Sequence, residues 1–582
     1  MDLRLMLDRP TGAERAAVDA ILGADQSING RVVYGGRSAR AQRHLLLPAL
    51  HAVQDASGTV SRGALAYICD RLTVPPAEAY GVATFYALFD VDGAPGPSIH
   101  VCDDIVCAQY GAEDLCAALD DRGTSYHRSP CLGQCDRAPA VMFHEPGTGY
   151  GTAAPVDPES VATPVFDEMP PGLVHQDLSE LTLLSRVGVV DPNSIDSYRE
   201  AGGFETLSRA REMGPDAVID ELKRSNLRGR GGAAFPIGIK WEGVRNAAGP
   251  EKYVIANGDE SEPGTFKDRL LMESDPFAVV EAMALYGFTT GATQGYIYVR
   301  GEYPTAERRL RNAIFQTERA RLMGDDFSLE VRRGAGAYIC GEETALFASI
   351  EGHRGEPRQK PPFPTESGVF GKPTGINNIE TLLAALHVVA IGGEAFAAIG
   401  TGQSTGPKLF CVSGAVERPG VYEVTFGTTL GELLQLAGGV RDGKDLGAVL
   451  MGGAAGVFAD RSALDVPLTF EDTRTAGTTI GSGSVIFFAD RTDFGPVLAR
   501  IARFFRDESC GQCVPCRIGT VRQEEALTRL ASGMPLGSVD DERKRLDDLA
   551  LVMTDASICG LGQTASSAVQ SAMRLGLPGV PA

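Results

Sequence analysis

The stretch Glu508-Ser-Cys-Gly-Gln-Cys-Val-Pro-Cys-Arg517 holds three cysteines at C-x2-C-x2-C spacing, and Cys559 follows in Ser-Ile-Cys-Gly-Leu-Gly-Gln. Three thiolates on one turn, with a fourth from elsewhere in the fold, suit a cubane 4Fe–4S cluster. A structural zinc site is the alternative, but zinc motifs usually pair two C-x2-C units, and here Cys559 stands alone. We therefore predict that Cys510, Cys513, Cys516 and Cys559 bind a 4Fe–4S cluster.

A second cysteine set lies near residue 100. Cys102 and Cys107 are spaced C-x4-C, and Cys131 and Cys135 are spaced C-x3-C. The two pairs lie on separate turns, and four thiolates suit a 2Fe–2S cluster. Two disulfides in a secreted protein are the alternative, but the N-terminus lacks the long apolar run of a signal peptide. Clustered cysteines in a reducing compartment indicate metal ligands, so we predict a 2Fe–2S cluster.

The composition limits the classes of protein to consider. The chain has 582 residues, 43% of them hydrophobic, and a net charge of −21. This indicates several domains with real cores and disfavours binding to nucleic acid or to an anionic membrane. We find no run of about 18 apolar residues that would predict a membrane span, and we expect a cytoplasmic protein. Four cysteines stand singly and are expected to be buried thiols, namely Cys69, Cys116, Cys340 and Cys411.

Apolar periodicity divides the chain into parts of different character. The predicted parts are a helical segment (1–85), a small sheet domain (86–165), a central domain (185–400), a small β-rich module (405–490) and a C-terminal helical domain (493–582). Residues 155–185 are rich in Pro, Asp and Glu and indicate a linker. The central domain contains a strand, a helix and a strand in succession, which is typical of an α/β layer.

The central domain also contains segments that suit a phosphorylated cofactor. Leu227 to Pro236 is glycine-rich and is followed by Lys240, so backbone N–H groups and a cation can meet a phosphate. Taken alone, this segment also suits an ordinary turn. Ala256 to Asp268 follows a strand and places carboxylates beside Asn257, where they can accept hydrogen bonds from a flavin or nicotinamide. An acidic surface turn is the alternative.

Two more segments complete the pattern. Gly334 to Leu346 is a glycine-rich loop that leads into a helix with two acids at its start, where the helix dipole favours them. Plain helix capping is its alternative. Arg358 to Pro364 presents a cation and an aromatic ring on a stiff backbone, although a proline-rich linker has the same composition. Asn377 and Asn378 lie just beyond it.

In combination these segments resemble the flavin-bearing NADH-dehydrogenase subunit of respiratory complex I and its relatives. The matching runs are Arg-Gly-Arg-Gly-Gly-Ala, Asn-Gly-Asp-Glu-Ser-Glu-Pro-Gly-Thr-Phe-Lys-Asp, Gly-Ala-Gly-Ala-Tyr-Ile-Cys-Gly-Glu-Glu, Lys-Pro-Pro-Phe-Pro and Glu-Ser-Cys-Gly-Gln-Cys. They extend over residues 190–582, and residues 10–150 resemble the family's separate thioredoxin-like 2Fe–2S subunit. The resemblance implies a multidomain α/β fold in which a helical segment and a thioredoxin-like domain precede a Rossmann-like FMN domain, a β-grasp module and a helical bundle.

The resemblance also implies the roles of individual residues. FMN would be held by Gly229, Gly231, Gly232, Lys240, Asn257, Asp259, Tyr338, Gly341, Glu342, Asn377 and Asn378. NAD would be held against the flavin by Phe235, Glu262, Glu343, Lys360 and Phe363, with Glu262 and Glu343 as the predicted catalytic positions. Two residues depart from the family pattern: Ala234 replaces a usual glycine, and Gly243 stands where an aromatic residue often stacks near the adenine.

The implied reaction is hydride transfer between NAD(H) and FMN, because FMN converts two-electron into one-electron chemistry. Single electrons would pass through the two clusters to or from a partner subunit. The segments Asp555 to Gln563, Arg332-Arg333 and Tyr198 to Phe204 look most like the beta subunit of NAD-dependent molybdenum or tungsten formate dehydrogenase. The alternatives are the diaphorase subunit of an NAD-reducing nickel–iron hydrogenase, a fused complex I flavin subunit, and a non-catalytic electron-relay subunit with a dead flavin site.

Overall fold

The computed structural model describes residues 8–23, 42–91, 93–166, 170–324 and 326–580. Within these ranges the chain has the mixed α/β multidomain fold that the sequence predicts. The N-terminal heptapeptide, whose composition disfavours a signal peptide, lies outside the described residues, as does part of the predicted helical segment. The predicted domain limits each fall between helices and strands, and they remain predictions.

The helical segment begins with a capped helix. Thr11 accepts a hydrogen bond from the backbone of Glu14, and the Glu14 carboxylate accepts one from the backbone of Thr11. This reciprocal pair satisfies two N–H groups that the first turn would leave unpaired. The helices of this part are α1 (Gly12–Leu22), α2 (Leu46–Ser57), α3 (Arg62–Leu72) and α4 (Pro76–Ala83). Their apolar faces pack together in one core.

The small sheet domain is a four-stranded mixed sheet with strand order β2-β1-β3-β4. Strands β1 and β2 are parallel, and the other two pairs are antiparallel. Its elements are β1 (Ser98–Cys102), α5 (Ile105–Gln109), α6 (Ala112–Asp121), β2 (His127–Ser129), β3 (Val141–Glu145) and β4 (Gly149–Ala153). Helix α6 buries Leu115, Cys116 and Leu119 against this sheet. The four predicted 2Fe–2S cysteines therefore lie at one end of the sheet.

The central domain is built on a four-stranded parallel sheet with strand order β7-β6-β5-β8. Its strands are β5 (Tyr253–Gly258), β6 (Gln294–Val299), β7 (Ser328–Arg333) and β8 (Thr374–Asn378). Its helices are α7 (Ile195–Glu200), α8 (Glu205–Met213), α9 (Pro215–Arg224), α10 (Ile237–Asn246), α11 (Lys267–Ser274), α12 (Pro276–Thr290), α13 (Pro304–Arg319), α14 (Glu343–Ile350), α15 (Ile379–Ile391) and α16 (Gly393–Ala397). Parallel strands need crossover connections, and these helices supply them. The loops at the carboxyl ends of the strands consequently meet at one edge, where such sheets bind ligands.

Both described parts of the predicted linker contact the folded domains. Val156 and Val161 are buried in the core of the small sheet domain. Farther on, the backbone N–H groups of residues 182–184 donate to the buried carboxylate of Glu423 at 2.9–3.0 Å. In its described parts, 155–166 and 170–185, a segment rich in Pro, Asp and Glu is thus held as a strap, because long-range hydrogen bonds replace the local pattern that a helix or strand would need.

The predicted β-rich module is a five-stranded sheet with strand order β10-β9-β13-β11-β12. Strands β9 and β13 are parallel, and their neighbours are antiparallel. Its elements are β9 (Pro407–Gly414), β10 (Gly420–Thr425), α17 (Leu430–Leu436), β11 (Leu446–Met451), β12 (Val457–Ala459), α18 (Phe470–Thr475) and β13 (Ser484–Ala489). One face of the sheet joins a core of its own, and the other joins the core of the central domain.

The C-terminal helical domain contains α19 (Phe494–Glu508), α20 (Val514–Ala531), α21 (Val539–Ala556), α22 (Gly560–Thr564) and α23 (Ser567–Leu575). Helix α19 is amphipathic and buries Leu498, Ile501, Phe504 and Phe505. Its apolar face is continuous with the core of the central domain. Among the helices in the described part of the chain, none is both long and apolar enough to span a bilayer.

A buried ionic cluster joins the central domain to the β-grasp module. The carboxylate of Glu380 accepts hydrogen bonds from Lys408 Nζ at 2.8 Å and Leu409 N at 2.9 Å, and it lies 3.1 Å from Lys267 Nζ. Glu380, Lys267 and Lys408 are fully buried. Charges taken out of water in this way depend on their partners, because removal of one leaves the others uncompensated.

We expect Glu380→Ala to destabilise the protein by about 3–5 kcal/mol, because Lys408 loses its carboxylate partner in the interior. Urea unfolding followed by circular dichroism measures the change. Glu318→Ala, at the exposed end of α13, is the matched control and should change stability by no more than about 0.5 kcal/mol. Equal effects of the two substitutions would contradict the importance of the buried cluster.

Candidate functional site

The four C-terminal cysteines surround one small cavity. Cys510 and Cys513 lie in the turn between α19 and α20, Cys516 lies in the first turn of α20, and Cys559 directly precedes α22. All four line this cavity. Burial raises the pKa of the Cys516 thiol to about 12 and that of Cys559 to about 11. These thiols therefore ionise at neutral pH only if a metal stabilises the thiolates.

The second cysteine set converges as well. Cys102 ends β1, Cys107 lies in α5, and Cys131 and Cys135 flank a short loop. All four are buried, and the Sγ atoms of Cys131 and Cys135 lie 3.4 Å apart. No disulfide joins any cysteine in the described part of the chain. Four converging buried thiols suit the predicted 2Fe–2S cluster. The four single cysteines Cys69, Cys116, Cys340 and Cys411 are buried thiols, as predicted.

The glycine-rich loop before α10 is closed on itself. Gly229 N donates to Phe235 O at 3.0 Å, and Arg228 and Pro236 form an isolated bridge. A Cβ atom added at Gly231 would lie 3.1 Å from Cβ of Asn378, so a side chain there would crowd the site. The loop thereby brings its backbone close to the carboxyl end of β8, and α10 begins directly after it.

Ala234, which departs from the family's usual glycine, has a positive φ of 51°. L-residues other than glycine pay an energetic cost in this left-handed region because Cβ approaches the backbone. The loop nevertheless keeps its closing hydrogen bond between Gly229 and Phe235. The substitution therefore strains the loop without opening it.

The acidic loop after β5 is fixed at one end by Asn257. Its side-chain amide donates to Gly341 O at 2.9 Å, and its side-chain oxygen accepts from Asp259 N at 3.1 Å. Burial raises the pKa of Asp259 well above its usual value, and Oδ2 of Asp259 has no hydrogen-bond partner among the described residues. A buried acceptor without a donor, at the wall of a cavity, suits a ligand that supplies one.

Glu262 connects this loop to two other parts of the chain. Its carboxylate accepts hydrogen bonds from Tyr338 Oη at 2.6 Å and from Ala455 N, in the β-grasp module, at 2.9 Å. Burial raises its pKa to about 7, although both hydrogen bonds favour the ionised form. A carboxyl with a pKa near neutrality in a cavity is a candidate functional group.

The third segment places Glu342 and Glu343 at the start of α14. Glu342 caps the helix by accepting from Thr344 N at 2.8 Å and Ala345 N at 3.0 Å, so the capping role considered as an alternative is real. Lys360 Nζ lies 3.1 Å from Glu342 and 2.5 Å from Glu343. Burial opposes the charge of Lys360, but these two carboxylates outweigh it and raise the lysine pKa.

Lys240, Asn377 and Asn378 meet below the glycine-rich loop. Lys240 Nζ donates to Ile376 O at 3.1 Å, and burial lowers its pKa. Asn377 accepts from Trp241 Nε1 at 3.0 Å, and Asn378 donates to Asp268 Oδ2 at 2.5 Å. These bonds orient both amides at the carboxyl end of β8.

Two cavities collect these residues into one site. The larger has a volume of about 520 Å³ and the smaller about 290 Å³, within the size range of cofactor pockets. Both are lined by Gly231, Asn257, Gly341, Glu342 and Asn378, so they form one continuous groove. The larger cavity also contains Gly232, Asp259, Glu262 and Tyr338, and the smaller also contains Gly229, Phe235, Lys240, Glu343, Lys360 and Asn377.

Phe363 is the predicted site residue that the structure does not bring into the groove. It lies outside the lining of both cavities, and 55% of its surface is exposed. Gly243 faces open space as well: a Cβ atom added there would meet nothing closer than Thr365 at 3.7 Å. Phe363, predicted to hold NAD, and Gly243, discussed for the packing of the adenine, are thus both on the surface.

Several lining residues were not predicted from the sequence. The β-grasp module and the C-terminal helical domain contribute Gly452, Ala455, Thr479, Gly481, Ser482, Gly560, Leu561 and Thr564 to the larger cavity, and the acidic loop adds Glu260, Ser261, Thr265 and Asp268. The sequence signal that could have pointed to the small module is the glycine pair of the run Gly481-Ser-Gly483. In the structure both glycines have positive φ. The small module therefore closes the site rather than standing apart from it.

The groove and the 4Fe–4S cavity share a wall. Ile339 and Leu561 line both the larger cavity and the cavity of the four C-terminal cysteines. On another side, Arg300 connects the acidic loop to Cys131, because it donates to the backbone carbonyl of Glu260 at 2.8 Å and to that of Cys131 at 2.6 Å. A ligand in the groove therefore lies one layer of side chains from each cysteine set.

The comparisons with known protein families match these units. The thioredoxin-like [2Fe-2S] ferredoxin model matches residues 37–162, the Nuo51 FMN-binding domain 222–387, the SLBB domain 409–453, and the NADH-ubiquinone oxidoreductase-F iron–sulfur binding region 496–575. The chain is 41% identical to the F 2 subunit of the NADH-quinone oxidoreductase of Rhizobium meliloti (strain 1021), over 68% of this chain and 95% of the relative. It is 42% identical to the HndC subunit of the NADP-reducing hydrogenase of Solidesulfovibrio fructosivorans, over 66% and 80%.

A solved structure shows the same architecture over nearly the whole chain. A chain of an NAD+-reducing [NiFe]-hydrogenase in the air-oxidised state superposes with a TM-score of 0.79 at 32% identity, covering 91% of this chain and 92% of that one. The fold and the site define a flavin- and iron–sulfur-dependent NADH oxidoreductase subunit. More particularly, the chain belongs to the family of the F subunits of NADH-quinone oxidoreductase. The predicted family, fold class and cofactor set (FMN, NAD, 4Fe–4S and 2Fe–2S) are confirmed.

We expect Ala234→Gly to stabilise the protein by about 1 kcal/mol, because glycine adopts the positive φ at this position without strain. Differential scanning calorimetry of the FMN-loaded protein measures the change. Ala233→Gly in the same loop is the control, since Ala233 is not among the residues with positive φ and should gain nothing. A stabilisation of equal size in both variants would contradict this explanation.

Proposed function

We propose that this chain transfers hydride between NAD(H) and FMN and passes single electrons between the flavin and its two clusters. The observation that carries the proposal is the shared wall: Ile339 and Leu561 border both the groove and the 4Fe–4S cavity. Donor and acceptor separated by one side-chain layer suit electron transfer without a mobile carrier. Bound FMN supplies the conversion between two-electron and one-electron chemistry.

FMN is assigned to the part of the groove with the most backbone N–H groups and oriented amides. The loop of Gly229, Gly231 and Gly232 precedes α10, and Lys240 adds a cation, so this end suits the phosphate. Asn257, Asp259, Asn377 and Asn378 present oriented amides and the unpaired acceptor of Asp259, which suit the ribityl chain and the flavin ring. Tyr338, Gly341 and Glu342 complete the wall.

NAD(H) is assigned to the open side of the groove. Glu262 presents a carboxylate from the acidic loop and Glu343 one from the start of α14, and the Lys360 ammonium lies between Glu342 and Glu343. Phe235 is 48% exposed at the mouth, where its ring is available for stacking. Phe363 is assigned to NAD on resemblance alone, since it lies outside the groove. These residues bind and orient the nicotinamide, and none acts as a nucleophile.

We further propose that the electron partner is the molybdenum- or tungsten-pterin alpha subunit of an NAD-dependent formate dehydrogenase, which would carry further iron–sulfur clusters. The support is the resemblance of the segments around Cys559, Arg332 and Tyr198. Two of these segments hold the fold: Arg333 forms a bidentate pair with Asp55 of the helical segment at 3.0 Å, and Tyr198 Oη donates to Glu281 at 2.6 Å. A cytoplasmic location remains a prediction from the reduced cysteine sets.

A hydrogenase partner is the second candidate. The observation that favours it is the superposition with a chain of an NAD+-reducing [NiFe]-hydrogenase over 91% of this chain. A complex I partner has the support of the relatives from NADH-quinone oxidoreductases. The non-catalytic relay is disfavoured, because Ala234 leaves the loop closed and Gly243 leaves the groove intact.

Metal analysis of the complex purified anaerobically with this chain distinguishes these partners. We expect molybdenum or tungsten with iron and FMN, and reduction of NAD+ by formate but not by hydrogen. Nickel with hydrogen-dependent reduction would instead establish the hydrogenase candidate. Iron and FMN alone, with activity toward neither donor, would contradict both.

The pKa of about 7 for Glu262 predicts a pH-dependent affinity for NADH. Above that pH the carboxylate is ionised and accepts more strongly from ribose or amide donors, so KM for NADH should fall as pH rises through about 7. In Glu262→Gln this step should disappear. Steady-state NADH oxidation with an artificial acceptor, from about pH 5.5 to about pH 8.5, measures it.

Glu508→Gln is the matched control. Burial also raises the pKa of Glu508 to about 7, but this side chain accepts from Tyr338 N and does not line the groove. The step in KM should therefore persist in this variant. Loss of the step in Glu508→Gln and its persistence in Glu262→Gln would contradict the assignment of Glu262 to the nucleotide.

A further inference from the structure

Two fully buried arginines of the central domain reach the loop between Cys131 and Cys135. Arg269 donates to Gln134 Oε1 at 2.6 Å and to Asp136 Oδ1 at 2.8 Å. Arg300 donates to the backbone carbonyl of Cys131 at 2.6 Å. Two guanidinium groups of the central domain thus hold the small sheet domain at the loop that contains two of the predicted 2Fe–2S ligands.

Arg300 differs from Arg269 in what it touches. Its second hydrogen bond goes to the backbone carbonyl of Glu260 at 2.8 Å, in the acidic loop that lines the groove. Arg300 therefore bonds directly both to Cys131, a predicted cluster ligand, and to the acidic loop. Arg269 bonds only to side chains beside the ligands, and its charge is offset by Asp136 and Glu273.

The charge of Arg300 lies beside Cys131, a predicted cluster ligand. A guanidinium remains protonated in proteins, and Arg300 is only 2% exposed, so solvent screens it weakly. Its counter-ion is Glu302, which accepts at 2.8 Å and is also buried. Arg300 bonds the Cys131 carbonyl itself, whereas Glu302 makes no such contact. Asp104 also contacts Cys131: it accepts from Cys131 N at 2.9 Å and lies 3.7 Å from Arg500.

We propose that Arg300 is a positioning residue that raises the reduction potential of the 2Fe–2S cluster that Cys102, Cys107, Cys131 and Cys135 would hold. A nearby buried positive charge stabilises the reduced cluster, which carries one more negative charge than the oxidised one. The same side chain fixes the position of Cys131 relative to the acidic loop. The proposal rests on the assignment of Cys131 as a cluster ligand.

The test is a potentiometric titration of the full chain, with the 2Fe–2S signal followed by electron paramagnetic resonance. In Arg300→Gln we expect the ratio of reduced to oxidised cluster at a fixed potential to fall about tenfold, equivalent to about 59 mV for one electron. Arg300→Lys retains the charge and should stay near the wild-type ratio. The 4Fe–4S signal of the same samples is the internal control and should not shift.

The sign of the change in reduction potential in Glu302→Gln is the decisive result. This substitution removes the counter-charge while keeping the shape, so the 2Fe–2S cluster should become easier to reduce, opposite to Arg300→Gln. It also keeps the proposal testable if Arg300→Gln does not fold. Shifts of the same sign in both variants, or no shift with unchanged spectra, would overturn the proposal. Absence of a 2Fe–2S signal in the unaltered chain would instead overturn the ligand assignment.

Discussion

The carboxylate of Glu260 fixes the loop on which the rest of the site depends. It accepts hydrogen bonds from the backbone of Asp268 at 2.8 Å and of Arg269 at 2.9 Å, and Tyr303 Oη lies 3.2 Å away. Burial and the nearby charge of Asp268 raise its pKa to about 8. These bonds cap α11 and hold the acidic loop in one conformation. Because that loop borders both the groove and Cys131, its rigidity sets the geometry between flavin and cluster.

Fusion of the two iron–sulfur units in one chain makes this geometry intramolecular. Tyr303, which supports Glu260, also packs against Gly133 of the cysteine loop so closely that a Cβ atom there would lie 2.2 Å from its hydroxyl. On the other side of the domain, Arg333 pairs with Asp55 and connects the helical segment to the parallel sheet. The interface is therefore built from buried polar contacts as well as apolar packing, which favours one fixed orientation.

Much of the site could be predicted from the sequence where chemistry is local. The spacing of Cys510, Cys513 and Cys516 needs only a turn, and the glycines of the loop before α10 need only a positive φ or a close approach.

Residues whose role depends on distant contacts were missed. Thr479 and Ser482 reach the groove from another module, and Glu260 acts through hydrogen bonds within the core. The strap that ends on Glu423 had the composition of a linker, because its order comes from a partner 240 residues away in the chain. Phe363 was placed in the groove by resemblance, while the structure leaves it on the surface.

The central claim is that the groove delivers electrons from NADH through FMN to both clusters. The most direct measurement is anaerobic addition of NADH to the full chain, followed by electron paramagnetic resonance at temperatures that separate the 2Fe–2S and 4Fe–4S signals. We predict that both signals appear, vanish when FMN is removed, and return when FMN is restored. The central claim would be contradicted if NADH reduced the clusters without FMN. It would also be contradicted if NADH reduced neither cluster in the FMN-loaded protein.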